Sequence, residues 1–153
     1  MSASRSRRSA GILLHRERDG VREVLLVHPG GPLWAKKDAG AWSIPKGEYE
    51  DGDDPRECAR REFEEELGSP LPGDGELREL GTVRLRSGKQ VTAYAASGDL
   101  DAEAISSNTF TMEWPPRSGV QREFPEVDRA GWFALDEARE KLNPAQAELL
   151  DRL

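Results

Sequence analysis

Cysteine is almost absent from this chain: Cys58 stands alone among 153 residues. No intrachain disulfide can form, and such usage suits a reducing compartment, so a cytoplasmic location is expected. Histidine is nearly as scarce, and neither His15 nor His28 stands at a spacing that suggests a metal site or a catalytic triad. No apolar run approaches the roughly 18 residues needed to cross a bilayer. The basic start MSASRSRRS leads only into AGILL, too short for the core of a signal peptide. Residues 1–8 are therefore expected to form a flexible basic tail. Positive charge is also in deficit, with 22 Lys and Arg against 29 Asp and Glu and a net charge of −7. That balance argues against a nucleic-acid polymer or a membrane surface as partner. It leaves open a small phosphorylated ligand, which meets a local site and not the average charge.

Charged residues make up 33% of the chain and hydrophobic residues 36%, enough for one domain over residues 9–153. AGILLH (10–15) and EVLLVH (23–28) read as strands joined by a hairpin turn at Asp19-Gly20. A loop rich in Gly and Pro follows, then a short predicted strand Trp42-Ser43-Ile44, with Lys46-Gly47 opening another loop. Asp54 can cap the next helix, Pro55 suits its first turn and Gly68 stops it. Strands are predicted near 77–85, 90–96, 109–114 and 130–134, with 98–108 as loop. Leu135, Ala138 and Leu142 mark one helical stripe, and Ala145, Leu149 and Leu153 another. The order of elements implies an α+β or α/β sandwich with a mixed sheet.

The informative stretch is GEYEDGDDPRECARREFEEELGS, residues 47–69, which holds ten acidic side chains. On a helix, Ala59, Phe63 and Leu67 share one apolar stripe, and Glu62, Glu65 and Glu66 fall on the arc beside it. A self-neutralising face would place Lys or Arg four residues from each Glu. Glu64 and Glu65 have Arg60 and Arg61 at that spacing, but Glu62 and Glu66 have only each other. All three also lie towards the helix C-terminus, where the macrodipole disfavours negative charge. Two readings remain on these grounds, a solvated acidic face or a platform for divalent ions. Oxygen donors without Cys or His would select Mg²⁺ or Mn²⁺ over zinc.

Gly47, Arg61, Glu62, Phe63, Glu65, Glu66 and Gly68 stand at the spacing of the Nudix box, G-x5-E-x7-R-E-U-x-E-E-x-G-U, where U is a bulky apolar residue. Seven of its nine fixed positions match; Asp53 replaces the first Glu and Ser69 the last apolar residue. Over nearly the whole chain the sequence resembles a Nudix hydrolase. The resemblance implies an α/β/α sandwich around a mixed sheet and a Mg²⁺-dependent pyrophosphohydrolase. Such an enzyme cleaves a nucleoside diphosphate linked to another moiety by attack of water on phosphorus.

Carried over by position, Glu62, Glu65 and Glu66 are the expected metal ligands, with Glu66 nearest the attacking water. Gly47 would offer its backbone carbonyl to the metal, and Arg61 would orient a box glutamate. Asp53 would matter little if its position only steadies the loop, and would slow the reaction if that position helps to place the base. The family often draws one more glutamate from a loop before the last strand, which makes Glu126 the candidate for extra ligand or general base and Glu123 the runner-up. Lys46 in the IPKG segment could meet a phosphate, its alternative being a solvated loop lysine, and Lys36 and Lys37 are further phosphate candidates. Trp34 and Trp114, beside loops, could stack on a base, as could Phe110 and Tyr94, whereas Trp42 and Trp132 read as core. The PKG lead-in and the closing WFALDEAREKL look like the dinucleoside polyphosphate group. No tyrosine follows the box where that group commonly has one, and no proline marks an ADP-ribose hydrolase. ADP-ribose or (deoxy)nucleoside triphosphates therefore stay open as substrates. A non-catalytic nucleotide-metabolite-binding module is the alternative of another class, and intact box carboxylates weigh against it. Homodimers are common in the fold, although no segment here declares an interface.

Overall fold

A computed structural model describes residues 7–73 and 75–153. Asp19 and Gly20 both have positive φ (53° and 79°), the geometry of a two-residue hairpin turn that an Asp-Gly pair accepts readily. They join β1 (Arg8–Arg18) to β2 (Val21–Pro29) with Arg18 opposite Val21. The chain continues through β3 (Lys46–Tyr49), α1 (Pro55–Leu67), β4 (Arg78–Arg84) and β5 (Gln90–Ser97). Then come β6 (Thr109–Glu113), β7 (Gln121–Pro125), β8 (Val127–Ala134) and α2 (Leu135–Lys141). Short 3-10 turns occupy Ala102–Ala104 and Ala147–Arg152.

The main sheet runs β4-β5-β1-β2-β8, with β3 also paired to β1. It is mixed, because β5 lies parallel to β1 and the other pairs are antiparallel. Alternate residues of the central strands feed two cores. Ile12, Leu14, Leu25 and Val27 pack with Phe63 and Leu67 of α1 on one face. Leu13, Val24 and Leu26 pack with Ala138, Leu142, Leu149 and Leu150 on the other. The result is the expected α/β/α sandwich. No helix among the described residues is long and apolar enough to cross a membrane.

One edge of β1 serves two partners. Its first part, Arg8 to Gly11, pairs with β3, and its last part, His15 to Arg18, with β2. The sheet is split between them, and residues 42–46 thread the split. Ser43 exchanges backbone bonds with Val27 at 2.8 and 3.0 Å, and the Pro45 carbonyl accepts the Ile12 N–H at 3.1 Å. The predicted strand Trp42–Ile44 is accordingly reduced to isolated bridges. The buried Gln146 side chain takes the place of a strand partner, its Oε1 accepting the Ile44 N–H at 3.0 Å and its Nε2 donating to Ser43 Oγ at 3.0 Å.

Other expectations need correction. Lys46 and Gly47 do not open a loop; they begin β3. The stripe after Asn143 forms a 3-10 turn, with Leu149 and Leu150 as its buried residues, instead of an α-helix. Residues 98–108 contain a 3-10 turn, and β7, which pairs with β6, was absent from the sequence reading. Of the expected tail, Arg7 and Arg8 are held in place: the Arg7 carbonyl accepts the Gln90 N–H at 2.9 Å, and Arg8 pairs with Asp51. Residues 1–6 lie outside the described residues.

Gln146→Leu should leave the buried Ile44 N–H unsatisfied. The expected loss is about 1–3 kcal/mol, read as a lower urea midpoint at unchanged m value.

Candidate metal and substrate site

Helix α1 begins and ends where its local chemistry dictates. The Asp54 carboxylate accepts the Arg56 N–H at 2.9 Å, Pro55 follows it, and Gly68 closes the helix at φ 79°. Cys58, Ala59, Phe63 and Leu67 are buried, which fixes the rotation of the helix and brings Glu62, Glu65 and Glu66 to the margin of the core. No basic residue occupies its last turn.

Burial and crowding shift these carboxyls. Glu66 is pushed up to about 8, first by desolvation and then by Glu62 and Glu126, while Lys46 opposes the shift. Glu62 rises to about 7, again mainly through desolvation and then through a hydrogen bond and repulsion with Glu65, against Arg61. The Lys46 ammonium is drawn below its ordinary value by burial and by Lys89, while Glu66, Glu48 and Glu62 pull it the other way. Lys46 is thus no solvated loop lysine; it stands on β3, half-buried beside the acidic cluster.

Gly47 and Glu62 are in intimate contact. A methyl group at Gly47 would overlap the Glu62 side chain, which occupies the space a side chain here would take. The Gly47 carbonyl faces the buried Cys58 thiol at 3.6 Å. Arg61 Nε lies 3.8 Å from Glu62, whose side chain is 17% exposed against 54% for the arginine. Asp53 steadies its own turn, accepting the Glu50 N–H at 3.1 Å and donating its N–H to the Glu50 carbonyl at 3.0 Å.

Glu126 reaches the helix through a chain of backbone bonds. Asn108 N–H donates to the Glu65 carbonyl at 2.9 Å, Glu126 N–H to the Asn108 carbonyl at 2.8 Å, and Gly30 N–H to the Glu126 carbonyl at 2.9 Å. Ser107 Oγ adds a clamp, accepting the Val127 N–H at 3.1 Å. A cavity of about 100 Å³ has Lys46, Glu66 and Glu126 at its polar end and Val27, Ile44 and Val127 on its walls. Glu123, the runner-up, sits exposed within β7 opposite Thr111.

The site fits a hard divalent cation by its donors: carboxylate oxygens at the edge of the core, those of Glu62 and Glu66 raised in pKa by desolvation and then by acidic neighbours, with Gly47 leaving room for Glu62. Among the described residues no three Asp, Glu, His or Cys side chains are already gathered tightly enough to hold a metal ion. Coordination would therefore require the glutamate side chains to draw closer together.

A model of the NUDIX domain matches residues 5–153. The chain belongs to the Nudix hydrolase family. Among solved structures it is similar to a Caenorhabditis elegans Ap4A hydrolase in a binary complex, at 21% identity and TM-score 0.65, covering 94% of this chain and 93% of that one. The NUDIX domain of Shewanella oneidensis NrtR, complexed with ADP-ribose, matches at 15% identity and TM-score 0.64 over 97% and 86%. A NUDIX hydrolase from Nitrosomonas europaea matches at 21% and 0.57 over 97% and 88%.

The other sequence candidates separate in space. Trp34 is 40% exposed on the loop after β2, with Lys37 Nζ 5.0 Å from its ring centre and Lys36 exposed beside it. That loop starts at Gly30, which is bonded to Glu126. Trp114 lies past the far end of β6, five strand residues from the Glu126 end of the hairpin, or about 16 Å. Tyr94 is buried beneath Arg56 and is core, not a stacking surface. Phe110 packs on Gly31 and Phe124. Trp42 is core as expected, and Trp132 packs against the core with its Nε1 bound to the Leu100 carbonyl. The sequence reading missed Arg60 and Asn108, which join Arg61 and Glu65 along an open groove of about 570 Å³. Asn108 lies 42 residues beyond Glu66 in the sequence, and no local pattern marks it.

Stability should report the burial of Glu66. Its folded value lies above its ordinary 4.5, so its stabilising contribution is complete below that value and is lost as pH rises through about 8. In metal-free buffer Glu66→Gln should melt several degrees above the parent at pH 8.5 and close to it at pH 4.5. Thermal scans with EDTA check this, and equal melting at both pH values would contradict it.

Proposed function

We propose that this Nudix pyrophosphohydrolase cleaves a nucleoside diphosphate joined to a second moiety, with dinucleoside polyphosphates the leading substrate class and Mg²⁺ or Mn²⁺ the cofactor. The observation that carries the reading is the cavity that brings Lys46, Glu66 and Glu126 together beside the half-buried Glu62 and Glu65 of α1. Such a patch repels any anion until divalent cations neutralise it. Bound there, the ions would offset charge on the diphosphate oxygens and lower the pKa of water.

Each residue has a task under this reading. Glu62, Glu65 and Glu66 would hold the ions from one rigid helix, with the Gly47 carbonyl as a further donor. Arg61 would restrain Glu62. Glu126 would add a ligand or take the proton from the attacking water, and its backbone chain to α1 would keep it in register with Glu66. Lys46 would hold one phosphate oxygen. The cavity is about 100 Å³, small beside the roughly 300–1,000 Å³ of a pocket that encloses a whole ligand, so it suits ions and phosphate oxygens and not a nucleoside. The base must therefore lie outside, and the loop bearing Trp34, Lys36 and Lys37 borders the cavity through Gly30. Trp34 would stack on the base, with the lysines meeting outer phosphates. Trp114, at the far end of its hairpin, is better suited to a long substrate than to a compact one.

Similarity to the C. elegans Ap4A hydrolase supports the dinucleoside reading, and similarity to the ADP-ribose complex keeps ADP-ribose as the second. Incubation with Mg²⁺ and a panel of dinucleoside polyphosphates, ADP-ribose, nucleotide sugars and nucleoside triphosphates tests both. Turnover should centre on the first class. Glu66→Gln and Glu126→Gln should each lower kcat about a hundredfold or more, and EDTA should abolish it. Turnover of ADP-ribose alone would overturn the dinucleoside reading, and metal binding with no turnover would favour a binding module. Trp34→Ala should raise KM about tenfold, the size of one base–aromatic stack, with kcat little changed.

A further inference from the structure

The sequence left His28 without a partner, yet its ring is completely buried and bonded on both sides. Nδ1 lies 2.8 Å from Asp128 Oδ1, and Nε2 lies 2.6 Å from the Lys37 carbonyl oxygen. That carbonyl can only accept, so Nε2 carries a hydrogen and donates it. The ring meets Trp42 edge-on at 5.3 Å, and Trp42 meets Phe133 at 5.0 Å, so tight packing holds its orientation. Lys37 belongs to the loop that carries Trp34 and Lys36. Asp128 lies two residues beyond Glu126 on β8. The ring thus spans two segments, the 30–41 loop and the start of β8.

We propose that His28 is a positioning residue, a rigid spacer that fixes the 30–41 loop against β8, which begins directly after Glu126. It thereby sets where Trp34, Lys36 and Lys37 stand relative to the acidic cluster. The proposal rests on the reading of that loop as a substrate contact. Other tethers hold the far end of the loop: Asp38 accepts from Trp42 Nε1 at 2.7 Å and from Lys141 Nζ at 2.6 Å, and Gly40 N–H donates to the Glu140 carbonyl at 3.0 Å. Near its start, Gly30 is bonded to Glu126. His28 supplies the grip between these ends, on the carbonyl of Lys37 itself.

Two amides separate the halves of the bridge. In His28→Gln the amide nitrogen can stand where Nε2 was and keep the bond to Lys37. In His28→Asn it stands where Nδ1 was, keeping Asp128 and releasing the loop. Trypsin cleavage after Lys36 or Lys37, followed by mass spectrometry, reads the loop without any substrate. The Asn variant should be cut there about tenfold faster than the parent, the effect of one lost hydrogen bond on local opening, and the Gln variant near the parental rate. With the substrate that the panel identifies, KM should rise about tenfold in the Asn variant, kcat should stay within about threefold, and Gln should restore KM. Equal behaviour of the two variants in either assay overturns the proposal, as does faster cleavage without a change in KM. If the core variants do not fold, Asp128→Ala and Asp128→Asn cut and keep the other half of the bridge at a partly exposed position. A KM raised by Ala and restored by Asn supports the spacer, and equal KM values overturn it. Absence of turnover in the parent would sink the functional reading, while the tryptic comparison would still judge the anchor.

Discussion

The acidic centre of this protein is assembled by backbone hydrogen bonds acting against charge repulsion. The last carbonyls of any helix lack partners within it. Here those of Glu65 and Leu67 accept the N–H groups of Asn108 and Ser106, at 2.9 and 3.1 Å. The Asn108 carbonyl then holds the Glu126 N–H, and Glu126 holds Gly30. Glu126 would be driven away from Glu62 and Glu66 by electrostatics alone, because each raises the pKa of the helix carboxyls. Neutral main-chain bonds, insensitive to the charge on those side chains, set the distance instead. A cluster of like charges can persist near the core because none of them is responsible for the position it occupies.

The split in the sheet performs the matching task for the positive side. A continuous pairing of β1 with β2 would close the edge that β3 uses and leave Lys46 no place beside α1. By releasing β2 after the His15–Val24 pair, β1 admits the segment 42–46, which Val27, Ile12 and Gln146 hold by hydrogen bonds. Pro45 lacks an N–H and so needs no partner for one in this crowded crossing. Gly11 has the Pro45 carbonyl so close that a side chain there would collide with it. Lys46 is thereby fixed beside Glu66, with which it lines the cavity.

What the sequence revealed was local, and what it hid was distant. Asp54, Pro55 and Gly68 act on backbone groups within a few residues, so α1 and its acidic face could be read directly. The Asp19-Gly20 turn was equally plain. By contrast, Gln121–Pro125 carries one large apolar residue, Phe124, and becomes a strand only because β6 lies beside it. Leu149 and Leu153 are four apart, as in an α-helix, yet the tighter 3-10 turn buries the adjacent Leu149 and Leu150. His28 meets Asp128 across 100 residues, and Gln146 meets Ile44 across 102. No periodicity or capping rule carries that information. Asp53 was ambiguous in the sequence, and its reciprocal bonds with Glu50 show it supporting the turn.

Under the proposed function, an acidic protein must meet the charge of a polyphosphate locally. The net charge of −7 gives no long-range attraction for an anion. On that reading the favourable charge would come from Lys46 at the cavity, from Lys36 and Lys37 on the loop outside it, and from divalent ions between them. These sources differ in kind. Lys46 is held by burial and cannot follow a moving ligand, while Lys36 and Lys37 sit on a loop whose place depends on a few tethers. A short substrate needs only the fixed set. A substrate with a longer phosphate chain would also reach the loop, and for that class the rigidity of the loop would become part of recognition. Completely burying a histidine to hold a surface loop has a cost in folding that solvent-exposed tethers avoid. The return is a loop whose conformation is settled before the ligand arrives, so that ordering it is not charged against binding.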